Sequence, residues 1–290
     1  MTKSNLAEKM VLGTAQFGMN YGIANLSGKP TEKEAFRILE HAWDRGVRRF
    51  DTAPTYGSEA ILGEFIRSNA LQREAIVLTK IPKLAEAKVF QEALKSSINT
   101  SLEQLGCTID VLFLHEPLDV GLLLDNADVF RDIPVRYPVK CLGISVYEPT
   151  EVARAASYEA ELAFQFPLNV LDRRFESVKM PYGKRYARSI FLQGLLASPN
   201  HLRKNAPSAL SRLGENYHQT LKAHGLDPIA LAISFVAQSA YADYFLVGVD
   251  TVKQLQEILD TPLGLNLPLE ELDRLRLTTE ERWLDPRVWN

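Results

Sequence analysis

Cysteine is scarce: the 290 residues hold two, Cys107 and Cys141, with no CxxC spacing between them. That excludes a disulfide scaffold and a zinc module, and it leads us to expect a reduced, cytoplasmic setting. An excess of one charge is also missing. The 33 Lys and Arg residues stand against 36 Asp and Glu, a formal net charge of −3. A nucleic-acid binder would show a basic excess, so no nucleic-acid partner is expected. No two of the 16 glycines lie two positions apart, so the dinucleotide fingerprint GxGxxG cannot occur. Neither Gly28-Lys29 nor Gly183-Lys184 is followed by the Ser or Thr of a P-loop. Residues 1–10 are polar and lack the apolar core of a secretory signal. The most apolar stretch, 229–249, contains Gln238 and Asp243, which would be costly in lipid. It predicts a buried helix followed by a buried strand, and no membrane association.

What is present is alternation. Short apolar runs recur, each followed by a longer stretch at helical spacing, the pattern of stacked βα units. Eight candidate strands are Met10–Ala15, Arg48–Thr52, Ile76–Thr79, Val111–Leu114, Cys141–Ile144, Leu162–Phe166, Ser189–Leu192 and Tyr244–Val247. Several are continuously apolar, as in a parallel sheet buried on both faces. Candidate helices between and after them include Thr31–Arg45, Leu122–Phe130 and Arg174–Met180, and Thr31 with Glu34 forms a capping-box pattern. Residues 197–228 read as irregular or weakly helical, followed by a tail over 269–290. With no linker dividing the chain, the expectation is one domain over 1–290: a (β/α)8 TIM barrel with a C-terminal tail.

Active groups in such a barrel project from the C-terminal ends of strands. Three runs end in a polar residue: RFD at Asp51, VLTK at Lys80 and LFLH at His115, with Tyr56 just beyond Asp51 in APTYG. Singly these are helix caps, rim residues or structural histidines. Together they deliver an acid, a phenol, an ammonium and an imidazole to one mouth. A free phenol titrates near 10, so the expectation is that Lys80 lowers the Tyr56 value while Asp51 holds Lys80 by a charge-assisted hydrogen bond. His115 would orient a carbonyl oxygen. Such a group suits donation of a proton to a carbonyl oxygen as it becomes an alkoxide, and it supplies no hydride.

DTAPTYG with LTK and LFLH resembles the aldo-keto reductases, whose tetrad is Asp, Tyr, Lys and His; GTAQFG resembles the family's opening segment. The resemblance runs from about Val11 to Glu257. It implies catalytic roles for Asp51, Tyr56, Lys80 and His115, with Tyr56 the proton donor, and a nicotinamide cofactor across the C-terminal mouth. It also implies a small carbonyl substrate. Contacts to the cofactor are implied for Gly13 and Thr14 in GTAQFG, Ser145 in GISVY, Gln165 in FQFPLN, and Arg188, Gln193 and Gly194 in RSIFLQGLL. Gly248, Lys253 and Glu257 in LVGVDTVKQLQEI complete the set. Arg188 stands where the family's nicotinamide-stacking Tyr stands, which would favour the reduced cofactor. The family's preference implies NADPH; Asp250, in place of the usual Arg, would repel a 2′-phosphate and makes NADH the alternative.

The competing readings are a Schiff-base aldolase with Lys80 as nucleophile and a cofactor-binding regulatory protein without turnover. No metal site is expected, since His115-Glu116 fails to continue as HExxH. His41 reads as solvated. His201, His218 and His224, with Arg203 and Lys204, read as a charged rim. Phe17, Met19 and Tyr21 are expected to line a substrate pocket, and Trp283 and Trp289 to pack on the barrel. The loop GMNYGIAN-x-x-GKP is similar to that of reductase-like proteins of surface-sugar biosynthesis, which hints at a sugar-derived carbonyl.

Overall fold

Seven of the eight predicted apolar runs are strands in the computed structural model, which describes all residues except 1–2, 26–27, 85, 181–182, 199–206, 278–279 and 290. The strands are β1 (Met10–Gly13), β2 (Arg49–Asp51), β3 (Ile76–Ile81), β4 (Ile109–Leu114), β5 (Val139–Ser145), β6 (Leu162–Pro167), β7 (Arg185–Arg188) and β8 (Tyr244–Gly248). Each pairs in parallel with its sequence neighbour, and β1 pairs with β8 to close the barrel. This is the expected (β/α)8 architecture.

Successive strand residues point to opposite faces, and the apolar clusters divide accordingly. Val11, Leu78, Val111, Phe113, Ala163 and Tyr186 form the filling of the barrel. Their neighbours Leu12, Val77, Leu112, Phe164 and Phe245 pack outward against helix residues such as Ile38, Phe65 and Ile98. Gly143 on β5 makes room inside: a Cβ there would lie 2.5 Å from the Phe113 ring. The floor is closed by Tyr244, stacked on Tyr186 at 5.2 Å and covered by the Arg49 guanidinium at 4.1 Å.

The predicted seventh strand is displaced. Ser189, Leu192 and Gln193 take positive φ values of 59°, 46° and 53°, so the apolar run Ser189–Leu192 is a tight turn rather than an extended segment. The strand is the preceding Arg185–Arg188, whose Tyr186 and Ala187 are buried while the flanking arginines reach the barrel's two rims. The predicted helix Leu122–Phe130 is broken at Asn126 into Asp119–Asp125 and Ala127–Arg131. Arg174–Met180 holds only the 3-10 turn Arg174–Ser177.

The region expected to be irregular contains a helix of 16 residues, Ser208–Ala223. Its Leu210, Leu213, Tyr217 and Leu221 recur at helical spacing and form a second core with Leu231, Leu275 and Trp289. The tail thus packs on the barrel as expected, with the helix Leu269–Leu277 followed by two 3-10 turns. Thr31 and Glu34 make both bonds of a capping box. Asp227 caps the helix Pro228–Gln238 through the Ala230 N–H at 2.8 Å. Among the described residues no helix is long and apolar enough to cross a membrane.

Candidate active site

An inward-facing position at or near the C-terminal end of every strand, from β1 to β8, is a residue singled out in the sequence: Gly13, Asp51, Lys80, His115 one step past β4, Ser145, Gln165 two before the end of β6, Arg188 and Gly248. Period-two alternation below them is set by the barrel filling, so these eight share one parity and form the top layer of the interior. A cleft of about 540 Å³ opens above them, within the range of small-molecule and cofactor sites.

Asp51 organises the centre. Its Oδ1 accepts from Lys80 Nζ at 2.6 Å and its Oδ2 from Gln165 Nε2 at 2.9 Å; Lys80 Nζ also donates to the Thr52 carbonyl at 2.9 Å. Lys80 is 1% exposed and Asp51 3%. Lys80 is therefore an anchored cation with two acceptors, a poor arrangement for a Schiff-base nucleophile, which needs a free amine. Beneath it, Thr79 Oγ1 donates to the buried Glu59 at 2.6 Å, and burial raises the Glu59 carboxyl above its ordinary value.

Tyr56 arrives on the 3-10 turn Pro54–Tyr56, which ends at Gly57 with φ 71°. The turn is pressed against the short helix Ala15–Gly18: a Cβ on Gly18 would fall 1.7 Å from the Tyr56 carbonyl oxygen. The phenol ring sits 4.9 Å from Lys80 Nζ and edge-on to His115 at 6.0 Å. The expectation that Lys80 lowers the Tyr56 value is not met. Burial pushes it well above the ordinary phenol range, and the Asp51 carboxylate raises it further; Asp51 neutralises the very cation that was to lower it. Burial, aided by the positive charges of Lys80 and Arg188, pushes the His115 imidazole down to about 3, so it is neutral at pH 7.

Of the other predicted contacts, Gln193, Gly194 and Glu257 line the cleft. Thr14 does not. It is fully buried, donating to the Asp51 carbonyl at 3.1 Å and meeting Ser58 Oγ at 2.8 Å, with Thr52 Oγ1 3.0 Å from the same Ser58. These hydroxyls tie the ends of β1 and β2 to the start of the next helix. Lys253 also lies off the cleft, its side chain 85% exposed and 3.8 Å from Glu257. Phe17 is in the core and Met19 is exposed, whereas Tyr21 lines the cleft. His41 is half-buried, and its Nε2 has no partner among the described residues. His201, Arg203 and Lys204 lie outside the described residues; His218 bonds the Leu195 carbonyl at 3.0 Å.

Several cleft features escape sequence reasoning. Asn25, in the loop after β1, donates to Asp250 Oδ1 at 3.0 Å, and Ala24 N–H donates to the Gln193 carbonyl at 3.3 Å. That loop thus straps the cleft to the turns after β7 and β8. Gly194 permits the approach, since a Cβ there would meet Ala24 Cβ at 2.5 Å. Tyr147 lies between two guanidinium groups, Arg188 at 3.9 Å and Arg287 of the tail at 3.5 Å. A Gly-Ile-Ala-Asn loop carries no local signal of such long-range pairing.

The site has room and donors for a dinucleotide. Among the described residues Ser145 Oγ has no protein partner, and Gln165 gives only its amide nitrogen to Asp51, so a hydroxyl and an amide oxygen remain beside the Tyr56 group. Bare Gly248 lets the Gln16 amide lie over the strand end, where a Cβ would come within 2.3 Å of it.

A model of the Aldo/keto reductase family matches residues 9–277. The chain is 27% identical over 318 aligned residues to D-threo-aldose 1-dehydrogenase of a Pseudomonas species, spanning 89% of this chain and 94% of that protein. It is 24% identical to aldo-keto reductase YhdN of Bacillus subtilis, spanning 97% and 92%. The solved structure of the glycerol dehydrogenase AKR11B4 from Gluconobacter oxydans matches with a TM-score of 0.67 at 22% identity, covering 97% of this chain and 93% of that one, a likeness of fold.

Proposed function

The chain belongs to the aldo/keto reductase family, and from that premise we propose that it reduces an aldehyde or ketone to an alcohol, with Tyr56 as the proton donor. The observation that carries this reading is the constellation at one end of the barrel: Tyr56 set between neutral His115 and the Lys80–Asp51 pair. A reduced nicotinamide, when bound, supplies the hydride.

His115, uncharged, orients the substrate oxygen by a hydrogen bond without protonating it. Tyr56 keeps its proton in the resting site because burial disfavours the phenolate. A developing alkoxide is a stronger base than a phenolate, so the proton moves from Tyr56 Oη only as the carbonyl is reduced. Because Asp51 neutralises Lys80, the positive charge that offsets the phenolate left behind is that of Arg188. Asp51 fixes Lys80 and, through Gln165, one wall of the cofactor end.

Ser145 and the free amide oxygen of Gln165 would hold the carboxamide, and Gly13, Gln193, Gly194, Gly248 and Glu257 would flank the remainder of the cofactor. Tyr147 covers one face of Arg188, leaving the other for the nicotinamide ring; a neutral reduced ring suits that cation better than an oxidised one. Family resemblance favours NADPH. The carboxylate of Asp250, pinned by Asn25, favours NADH as a second reading. A sugar-derived carbonyl is supported by the aldose dehydrogenase relative.

The test is a panel of aldehydes, ketones and aldoses assayed for oxidation of NADPH and NADH, with Tyr56→Phe as the control. Carbonyl-dependent oxidation that disappears in Tyr56→Phe, with cofactor binding retained, is the expected result. Near-normal turnover in that variant overturns the assignment. Cofactor binding with no turnover would favour a regulatory role, and a borohydride-trapped adduct at Lys80 an aldolase.

A further inference from the structure

The turn that carries Tyr56 is tied to β3 at both of its ends. Before it, the Thr52 N–H donates to the Leu78 carbonyl at 2.9 Å. After it, the chain passes through Gly57 and Ser58 into the helix Glu59–Ser68, and Glu59 reaches back to accept from Thr79 Oγ1 at 2.6 Å. Thr79 directly precedes Lys80 on β3, so one hydrogen bond joins the segment of the phenol to the strand of the neighbouring ammonium. Glu59 is 1% exposed and does not line the cleft. Among the described residues it has no cation within ion-pair distance, because buried Lys80 is taken by Asp51. Its Oε2 and the nearby Ser101 Oγ, on the helix Phe90–Leu105, are buried and unpaired among the described residues. The two helices leave little slack there: a Cβ on Gly63 would fall 2.0 Å from the Gln104 carbonyl oxygen. A buried polar atom without a partner is costly, so an apolar side chain would serve packing alone better than this carboxyl does.

We propose that Glu59 is a positioning residue: through Thr79 it fixes the Tyr56 phenol against Lys80 and His115, and so governs proton delivery without touching substrate or cofactor. This rests on the reading of Tyr56 as the proton donor. The Ser58 hydroxyl ties the same stretch to Thr14 and Thr52, at the ends of β1 and β2. Glu59 alone, among the described residues, bonds the far end of the turn to β3. The phenol ring stands 4.9 Å from Lys80 Nζ and 6.0 Å from the His115 ring, and those separations depend on where the turn sits over the strands. A displacement of about 1 Å at a reacting group can cost about 100-fold in rate.

The experiment separates position from stability. Glu59→Met/Thr79→Val replaces both partners by apolar groups of similar shape, a change close to neutral for folding, whereas Glu59→Gln keeps the acceptor for Thr79. The double variant is expected to unfold at the denaturant concentration of wild type or above it and to bind the reduced cofactor equally. Its kcat for carbonyl reduction should be about 10- to 100-fold lower, with a larger solvent deuterium isotope effect because proton delivery has become slow. Glu59→Gln should keep kcat within about threefold of wild type. A double variant with wild-type kcat, or one whose kcat falls only in step with the loss of folded protein, overturns the proposal. An equal loss in Glu59→Gln overturns it too, by showing that charge rather than position matters. A second readout needs no turnover: the ¹³C signal of Tyr56 Cζ in tyrosine-labelled protein, assigned with Tyr56→Phe. It should move in the double variant and stay in Glu59→Gln. An unmoved signal in the double variant rejects the positioning role, and a moved one supports it even if no carbonyl compound is reduced. Should the double variant fail to fold, Thr79→Val alone carries the same readouts, with the same outcomes expected.

Discussion

Lys80 Nζ lies 2.6 Å from Asp51 Oδ1, and both side chains are almost wholly withdrawn from solvent. Removing one partner of a buried pair leaves the other uncompensated, at a cost of about 3–5 kcal/mol, whereas removing both is far milder. Asp51→Asn should therefore lower unfolding stability by about that amount and cut kcat as well. The double variant Asp51→Asn/Lys80→Met should regain most of the stability in a denaturant titration but none of the activity. Equal stability of the single and double variants would show that the pair is not electrostatically coupled.

Gly18 has a role that depends on Tyr56. A Cβ at this position would lie 1.7 Å from the Tyr56 carbonyl oxygen, so one of two backbones must move. A shift of about 1 Å at a catalytic group can cost about 100-fold in rate. Gly18→Ala is expected to lower kcat by about that factor, with a smaller effect on cofactor affinity. A variant with unchanged kcat would mean that the turn carrying Tyr56 yields without displacing the phenol.

Much of this site is legible before any coordinates because a strand alternates sides with period two. Once Val11, Leu78, Phe113 and Tyr186 fill the barrel, the residues two positions further on, Gly13, Lys80, His115 and Arg188, must face its mouth, and Asp51 joins them as the register partner of Gly13. Tyr56 is legible only through its motif, since a 3-10 turn has no comparable periodicity. Ser189–Leu192 is misread because an apolar run of four residues does not disclose positive φ at Ser189 and Leu192. The pairing of Asn25 with Asp250, 225 positions apart, is set by tertiary closure and has no local signature. The loss of Thr14 to a buried hydroxyl cluster is likewise a packing outcome: its motif is present, but Asp51 and Ser58 consume its hydrogen bonds.

The pH profile of reduction should lack a histidine inflection. His115 titrates near 3 because burial and two cations disfavour the imidazolium, and Tyr56 is raised from its ordinary value. The competent form, neutral His115 with protonated Tyr56, thus prevails from about pH 5 to about pH 9. kcat/KM for reduction should be flat over that span, and an inflection near 6.5 would show that His115 charges in the working enzyme. The stability consequence has the opposite sense to that of a salt-bridged histidine. Between about 6.5 and about 3 the unfolded chain binds a proton that folded His115 refuses, so stability falls as pH falls through that window. His115→Asn should flatten that part of the slope in equilibrium unfolding.

Cofactor choice turns on Asp250. Its Oδ1 accepts from Asn25 at 3.0 Å, and its backbone N–H donates to Gln254 Oε1 at 2.6 Å, so side chain and backbone are each held at the rim of the cleft. Lys253, which would favour a 2′-phosphate, is turned toward Glu257 and solvent. A fixed carboxylate can accept from a free ribose hydroxyl and repels a phosphate. If the adenosine ribose lies here, Asp250→Ser should raise kcat/KM with NADPH relative to NADH by about tenfold, the effect of removing one like charge at close range in a partly solvated site. Asn25→Ala, which frees the carboxylate without removing it, should change the ratio less than Asp250→Ser does. An NADPH preference in wild type that Asp250→Ser leaves untouched would place the adenosine end away from Asp250 and leave the Asn25 bond as a strap that serves only to close the loop.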